Sequence, residues 1–503
     1  MLRFVICVVT FLSATAIGSQ PVGQFAAPAT KAVPPGTVTP PPKPFTITLT
    51  VSPANLPAPV LRYVLLPSQR DRIAGNAALH YYRASQLQPV WPRDPGESLR
   101  QSERIGKWEA ASLDQFPTAE VKAFLHSYAN SFNALDTAAK CKHCDWQLDQ
   151  NLTPEGIATI LGDAQLQRVL TRYQRLRIRA ALAEHQNAAV CQGLMTGFRQ
   201  AKDVAEGPTL IHMLVGLALT SIYTGTLEEW ISTPDSPNLY WAVTTLPHPF
   251  IDPRPAVNGE SQIIAGMFPN IQELEKGPVS PERALATMEH AFNALRQLPQ
   301  TGEPSLLGAI TSKLGVAAYV TTQYPDAKKQ LVALGRTAAE IEKMPPAQVV
   351  ALRAHGVYRI MYDDWLKCFS LPYYQAVVEL GQARERAAKL VKANETDLFV
   401  KLISLTQPAF EKVTIAHARV ERRLAGLRVV EAIRLHAATH NGELPRQLNE
   451  ITAVPVTEDP NTGKPFAYSI EGRTFKLIAP PPAHEAPNPS NNFEYIITLR
   501  PAK

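Results

Sequence analysis

The sequence predicts a mainly α protein: stacked antiparallel helix pairs, a degenerate tetratricopeptide-like array, followed by a small C-terminal α+β module. Three observations predict it. Apolar residues recur at i, i+3 and i+4 through most of residues 70–407, as in Leu166, Val169, Leu170, Tyr173, Leu176, Ala180 and Ala183. Strict period-two alternation marks the two ends, Phe45-Thr-Ile-Thr-Leu-Thr-Val51 and Phe493-Glu-Tyr-Ile-Ile-Thr-Leu499. Short Gly/Pro breaks such as Glu206-Gly-Pro208, Lys276-Gly-Pro278 and Met344-Pro-Pro346 separate the helical runs, and short turns make consecutive helices antiparallel.

From the N-terminus, Met1-Leu-Arg3 is a positive n-region, Phe4 to Leu12 an apolar h-region, and Ala16-Ile-Gly18 a small-x-small cleavage pattern. The apolar run is shorter than the roughly 20 residues a membrane span needs. Residues 1–18 are therefore expected to be a cleaved signal peptide. Its removal leaves a periplasmic or extracellular protein without a transmembrane anchor. Residues 19–44 are proline-rich and nearly uncharged, the composition of an extended tether. Residues 45–67 form an N-terminal strand segment that could share a sheet with the C-terminal strand.

The helical-pair body spans 68–407, with helices expected near 118–140, 187–204, 208–224, 256–275, 281–298, 303–322, 326–343 and 346–391. Ile211 to Leu219, the most apolar run after the h-region, reads as a buried helix because His212, Thr220, Ser221 and Tyr223 interrupt it. The last unit, 408–503, opens with one long helix striped by Phe410, Val413, Ala416, Val420, Leu424, Leu427, Val430, Ile433 and Ala437. Asn441-Gly442 is a helix stop. A β-hairpin is expected about Glu471-Gly-Arg473.

Two stretches carry resemblances. Pro237-Asn-Leu-Tyr-Trp-Ala242, Leu246-Pro-His-Pro249, Cys144-Asp-Trp146, Leu61-Arg-Tyr-Val-Leu-Leu-Pro67, Gly75-Asn76-Ala77 and Tyr81-Tyr82 resemble a family of exported proteins abundant in planctomycete-type bacteria. That family implies kinship and no reaction. Gly442-Glu-Leu-Pro445, Asp459-Pro-Asn-Thr-Gly-Lys-Pro465 and Phe466-Ala-Tyr468, after the long helix, are similar to the soluble part of type II secretion pseudopilins. This implies an interaction module. Pseudopilins carry their hydrophobic helix at the N-terminus, whereas here the module lies at the C-terminus without one.

Composition excludes one class of partner. A net charge of +6 is spread along the chain without a basic block, so nucleic acid is not expected. Standard GxSxG, SxxK and P-loop motifs do not occur. Cys141-Lys-His-Cys144 is read as a local disulfide or buried thiols, with metal binding or redox work as alternatives. His436 and His440 stand one turn apart at helical spacing, and Asp459 heads a turn that offers oxygens. These are the candidate ligands for Zn or Ca, although no cofactor is predicted. Tyr240, Trp241, His248, Asp252 and Arg254 crowd between prolines, either as a ligand groove or as a plug in which Leu239, Trp241 and Phe250 fill a gap between helices. The function expected is a non-enzymatic envelope scaffold binding a protein or peptide. The alternatives are a hydrolase acting near His248, Asp252 and Arg254, or a metal-binding envelope protein using Cys141/Cys144 or His436/His440.

Overall fold

The structure, a computed structural model, describes residues 44–148, 157–266, 268–297, 312–394, 397–400, 407–482, 485–488 and 491–501. The expected signal peptide and all but the last residue of the tether lie outside these. In chain order the elements begin with β1 (Phe45–Val51), β2 (Ile73–Asn76), α1 (Ala77–Gln86), α2 (Pro95–Ala110), α3 (Thr118–His126), α4 (Ala129–Lys140) and β3 (Cys141–His143). Then come α5 (Ile157–Ala183), α6 (Asn187–Ala205), α7 (Leu210–Ile231), α8 (Tyr240–Thr244), α9 (Arg254–Ala265), α10 (Ile271–Lys276) and α11 (Pro281–Gln297). The chain closes with α12 (Lys313–Ala333), α13 (Ala338–Ile341), α14 (Pro346–Leu366), α15 (Tyr373–Ala393), α16 (Gln407–Thr439), β4 (Ala467–Glu471), β5 (Thr474–Ala479) and β6 (Phe493–Leu499). The fold is mainly α with a small C-terminal α+β module.

α5, α6 and α7 pack side by side through short connections. The approach of α6 to α7 is close enough that glycine is required: a Cβ on Gly216 would collide with Ala205, and one on Gly197 with the Tyr223 ring. α7 starts at Thr209, whose Oγ1 accepts from the His212 N–H at 3.3 Å. Its length and composition would suit a membrane span, yet 72% of its apolar window is buried. It is the central core helix. Sequence breaks at prolines were not all honoured. α12 runs through Pro325, where separate helices 303–322 and 326–343 are expected. One backbone bond is lost there, while Val316, Tyr319, Val320, Ala327 and Leu331 pack both halves of the helix into one core. Conversely, the single run 346–391 divides at Leu371-Pro372 into α14 and α15.

α16 lies across α7 and α8, drawing residues from Val51 to Leu499 into one hydrophobic core. A second core gathers Phe268, Phe292, Tyr319 and Phe399 around α10–α14. The sheet order is β1-β6-β5-β4, with β1 parallel to β6 and the other pairs antiparallel. Thus the strand segment at 45–67 joins the C-terminal sheet. One face of that sheet, Phe475, Leu477, Tyr495, Ile497 and Leu499, is buried. The Tyr495 ring sits over Gly426 of α16. α16 ends where expected: Asn441 and Gly442 take φ of 53° and 83°, and the Gly442 N–H bonds the Ala437 carbonyl at 2.7 Å.

Candidate functional site

The central stretch, residues 236–254, lies along α16 and divides into two parts. The first, Ser236 to Tyr240, is held by a buried ion pair one helical turn apart, Glu431 and Arg434, at 2.6 Å. Arg434 directs its five N–H donors to five acceptors: Ser52 O (2.8 Å), Glu431 Oε1 (2.6 Å), Pro237 O (3.3 Å), Ser236 O (3.0 Å) and Ser236 Oγ (2.7 Å). Glu431 Oε2 accepts the Leu239 N–H at 2.7 Å. Asn238 donates through Nδ2 to Ala54 O (3.2 Å) and Glu431 O (2.9 Å), and its Oδ1 accepts the Tyr240 N–H (3.0 Å). Tyr240 is buried and its hydroxyl donates to the Pro455 carbonyl at 2.5 Å. Ser236 to Tyr240 therefore tie the exit of β1, the end of α7 and the C-terminal module to α16.

The second part, Leu246 to Arg254, contains the cis bond His248–Pro249 and seats Phe250 and Ile251 in the core. Here side chains grip the backbone. Glu421 accepts the Phe250 N–H at 2.7 Å, and Lys202 donates to the Phe250 carbonyl at 3.2 Å. His417 Nε2 meets the Ile251 carbonyl at 3.0 Å, so that nitrogen carries the proton. Glu206, paired with Lys202, accepts the Asp252 N–H at 3.4 Å. Burial raises Glu421 to about 7, against the opposing Phe250 N–H and Lys202. Burial lowers His417.

Leu239 and Phe250 are buried plugs, and Trp241 packs partly buried against the same core, with Tyr240 fully buried beside it. Trp241 is half-buried, edge-on to Tyr240 with centroids 5.2 Å apart. Successive helical residues diverge by about 100°, so the two adjacent aromatics reach the core to different depths. His248, Asp252 and Arg254 are not brought together. Exposed Arg254 closes on its neighbour Asp252, at 2.6 Å, and holds that carboxyl low, whereas His248 faces Arg428 of α16 at 3.4 Å.

Cys141 and Cys144 are free thiols, as are Cys191 and Cys368. Cys141 opens the extended β3 and Cys144 follows it, so three extended residue steps separate them by roughly 10 Å. A disulfide needs Cα atoms within about 7 Å. Burial, with Asp203 nearby, pushes both thiols up. Three of the quoted fragments meet at this corner: Asn76 bonds Asp145, and Trp146 stacks on Tyr81 while donating to the Asp203 carbonyl at 2.9 Å.

The His436 and His440 rings are parallel, 3.9 Å between centroids and 7° between planes. Imidazole lone pairs lie in the ring plane, so two parallel rings do not converge on one ion about 2 Å from each. Asp459 is engaged bidentately by Arg422 at 2.9 and 2.6 Å, with the Asn461 N–H and the Thr462 hydroxyl also donating to it. A guanidinium, not a cation ligand sphere, surrounds that carboxylate. Among the described residues no group of three or more His, Cys, Asp or Glu is placed to hold a metal ion.

Sequence reading missed Glu431, Arg434, His417, Glu421, Lys202 and Glu206. Glu431 and Arg434 left one trace: charged residues inside the apolar run Val429-Val-Glu-Ala-Ile-Arg-Leu435. No family model, no curated protein and no solved structure matches this chain.

Proposed function

We propose that this chain is an exported, non-enzymatic scaffold of the cell envelope that takes up a protein or peptide partner as an added strand. The observation that carries the reading is the outer edge of β1. The Phe45 N–H bonds Asn492 O at 2.9 Å and the Val51 carbonyl accepts from the Arg500 N–H at 2.8 Å. Residues 45, 47, 49 and 51 therefore direct their backbone groups toward β6, and Thr46, Thr48 and Thr50 direct theirs away from the sheet. All three threonines are exposed. β1 has seven residues and contains no charge and no proline, the features that ordinarily blunt an edge. The opposite edge, β4, is shorter at five residues and ends on Glu471. An uncharged, β-branched edge is a template for strand addition, in which main-chain bonds supply affinity. The pseudopilin-like module then serves as an interaction domain.

A second observation supports a binding role over a hydrolase. The acid–base groups beside His248, Asp252 and Arg254 already hold the backbone of their own loop. Capture from envelope extract by the full chain and by Thr48→Lys tests the proposal. A partner retained by the parent and lost by the variant, with both melting alike, is the expected result. Equal recovery by the two proteins, or no partner for either, sinks it.

A further inference from the structure

Three arginines of α16 are closed by carboxylates: Arg422 by Asp459, Arg423 by Glu228 and Arg434 by Glu431. Arg428 is closed differently. Its Nη1 faces the imidazole Nε2 of His248 at 3.4 Å, and its Nε is buried without a hydrogen-bond partner among the described residues. The His248 ring also bonds the Thr244 backbone at the end of α8. Because Nε2 faces an N–H donor, it carries the lone pair, and Nδ1 carries the proton. A half-buried guanidinium is thus set against a neutral, exposed imidazole, and among the described residues no carboxylate pairs with either. The charged group acting on His248 is Arg428 from α16, and within its own loop Asp252 is closed by Arg254.

We infer that Arg428 and His248 form an oxyanion site that takes a carboxylate or phosphate group. A guanidinium lacking a carboxylate is an anion-seeking group, since its remaining N–H donors match the oxygens of either ion. His248 supplies the second contact. On protonation its Nε2 changes from acceptor to donor, releases Arg428, and both cations face the same anion. Burial and Arg428 hold His248 below its usual range in the free protein. A bound anion opposes both effects and raises it. Binding therefore takes up a proton, and affinity rises as pH falls from above neutrality through the His248 titration. This site is separate from the β1 edge and stands or falls independently of it.

The test is proton NMR of the His248 ring in the full chain, assigned by its loss in His248→Gln. Sodium acetate and inorganic phosphate are titrated at constant ionic strength, with chloride as the reference anion. A saturable shift is expected with at least one oxyanion, tighter by at least about fivefold at pH 5.5 than at pH 7.5. Stronger saturation by acetate assigns the site to carboxylates, and stronger saturation by phosphate assigns it to phosphoryl groups. Arg428→Met should abolish the effect. Arg428→Lys, which keeps the charge without the fork, should weaken it even where the methionine variant folds poorly. In His248→Gln, calorimetry should show residual binding without the pH dependence. Shifts that do not saturate, that chloride reproduces, or that persist in Arg428→Met would overturn the inference.

Discussion

Residues 236–240 and residues 246–254 lie on the same long helix, yet they are held to it by different kinds of contact. The first segment meets a fully buried ion pair whose donors and acceptors are all matched, Arg434 with five acceptors and Glu431 with three donors counting its backbone carbonyl. The second meets half-buried titratable groups, Glu421, His417 and Lys202, each gripping one backbone atom, while His248 stays exposed beside Arg428. A matched buried network fixes one chain path and leaves no chemistry over. The partly solvated set includes one carboxyl that burial brings to about 7, Glu421, and leaves His248 exposed. The contrast sets a matched buried network beside a titratable one within twenty residues of sequence.

Breaking the first segment should have the larger effect. Arg434→Met leaves Glu431 as an unpaired buried carboxylate and should cost about 3–5 kcal/mol, read by urea denaturation. The double change Glu431→Gln with Arg434→Met keeps an acceptor for the Leu239 N–H and removes the stranded charge. It should recover part of the loss. A double variant as unstable as the sum of its singles would show that the pair's charges are not the source. Next in size is Asn238→Ala, which deletes three hydrogen bonds in a buried site. It should cost about 1–3 kcal/mol, and a change within error would mean that water replaces the amide.

The second segment should respond to pH rather than to truncation. Glu421 titrates near 7 in the folded chain against 4.5 for the free group. Between those values the folded protein holds a proton that the unfolded chain has released. Its contribution is therefore full below 4.5 and is lost as pH rises through 7. Glu421→Gln, whose amide oxygen can still accept the Phe250 N–H, should match the parent near pH 5 and be more stable at pH 8 by on the order of 1–3 kcal/mol. Equal differences at the two pH values would show that the carboxyl is not buried in solution. His212 moves oppositely: burial lowers it to about 4, so its contribution is present above 6.5 and declines as pH falls toward 4.

Local patterns explain how much could be read beforehand. Alternation in β1 and β6, the stripe of α16 and its stop at Asn441-Gly442 depend on neighbours in sequence, and all three were legible. The parallel pairing of β1 with β6 joins residues some 450 apart in register, Phe45 with Phe493, and a pattern can suggest such a sheet without giving its order. The same limit hid the clamp. His417 and Glu421 lie 166 and 171 residues from the backbone atoms they hold, and nothing in a single sequence links them. Tyr240 and Trp241 are adjacent on a one-turn helix, both pack against the core, and sequence does not say which goes deeper. Tyrosine does so because its hydroxyl reaches the Pro455 carbonyl.

The smallest expected effect lies at the residue that looked most like part of a site. Arg254 is exposed and its ionic partner among the described residues is Asp252, two residues before it. Exposed ion pairs gain little from Coulomb attraction in water and lose side-chain freedom in forming. Arg254→Ala should leave the melting midpoint unchanged within error, and oxyanion titration of His248 should follow the same curve as in the parent. A variant that weakened binding as much as Arg428→Met would extend the site around the loop to Asp252. The side chains that hold residues 250–252 and the anion site would then be one network. The two arginines make the comparison sharp: both are partly solvated, but one is closed by a carboxylate of its own loop and the other is not.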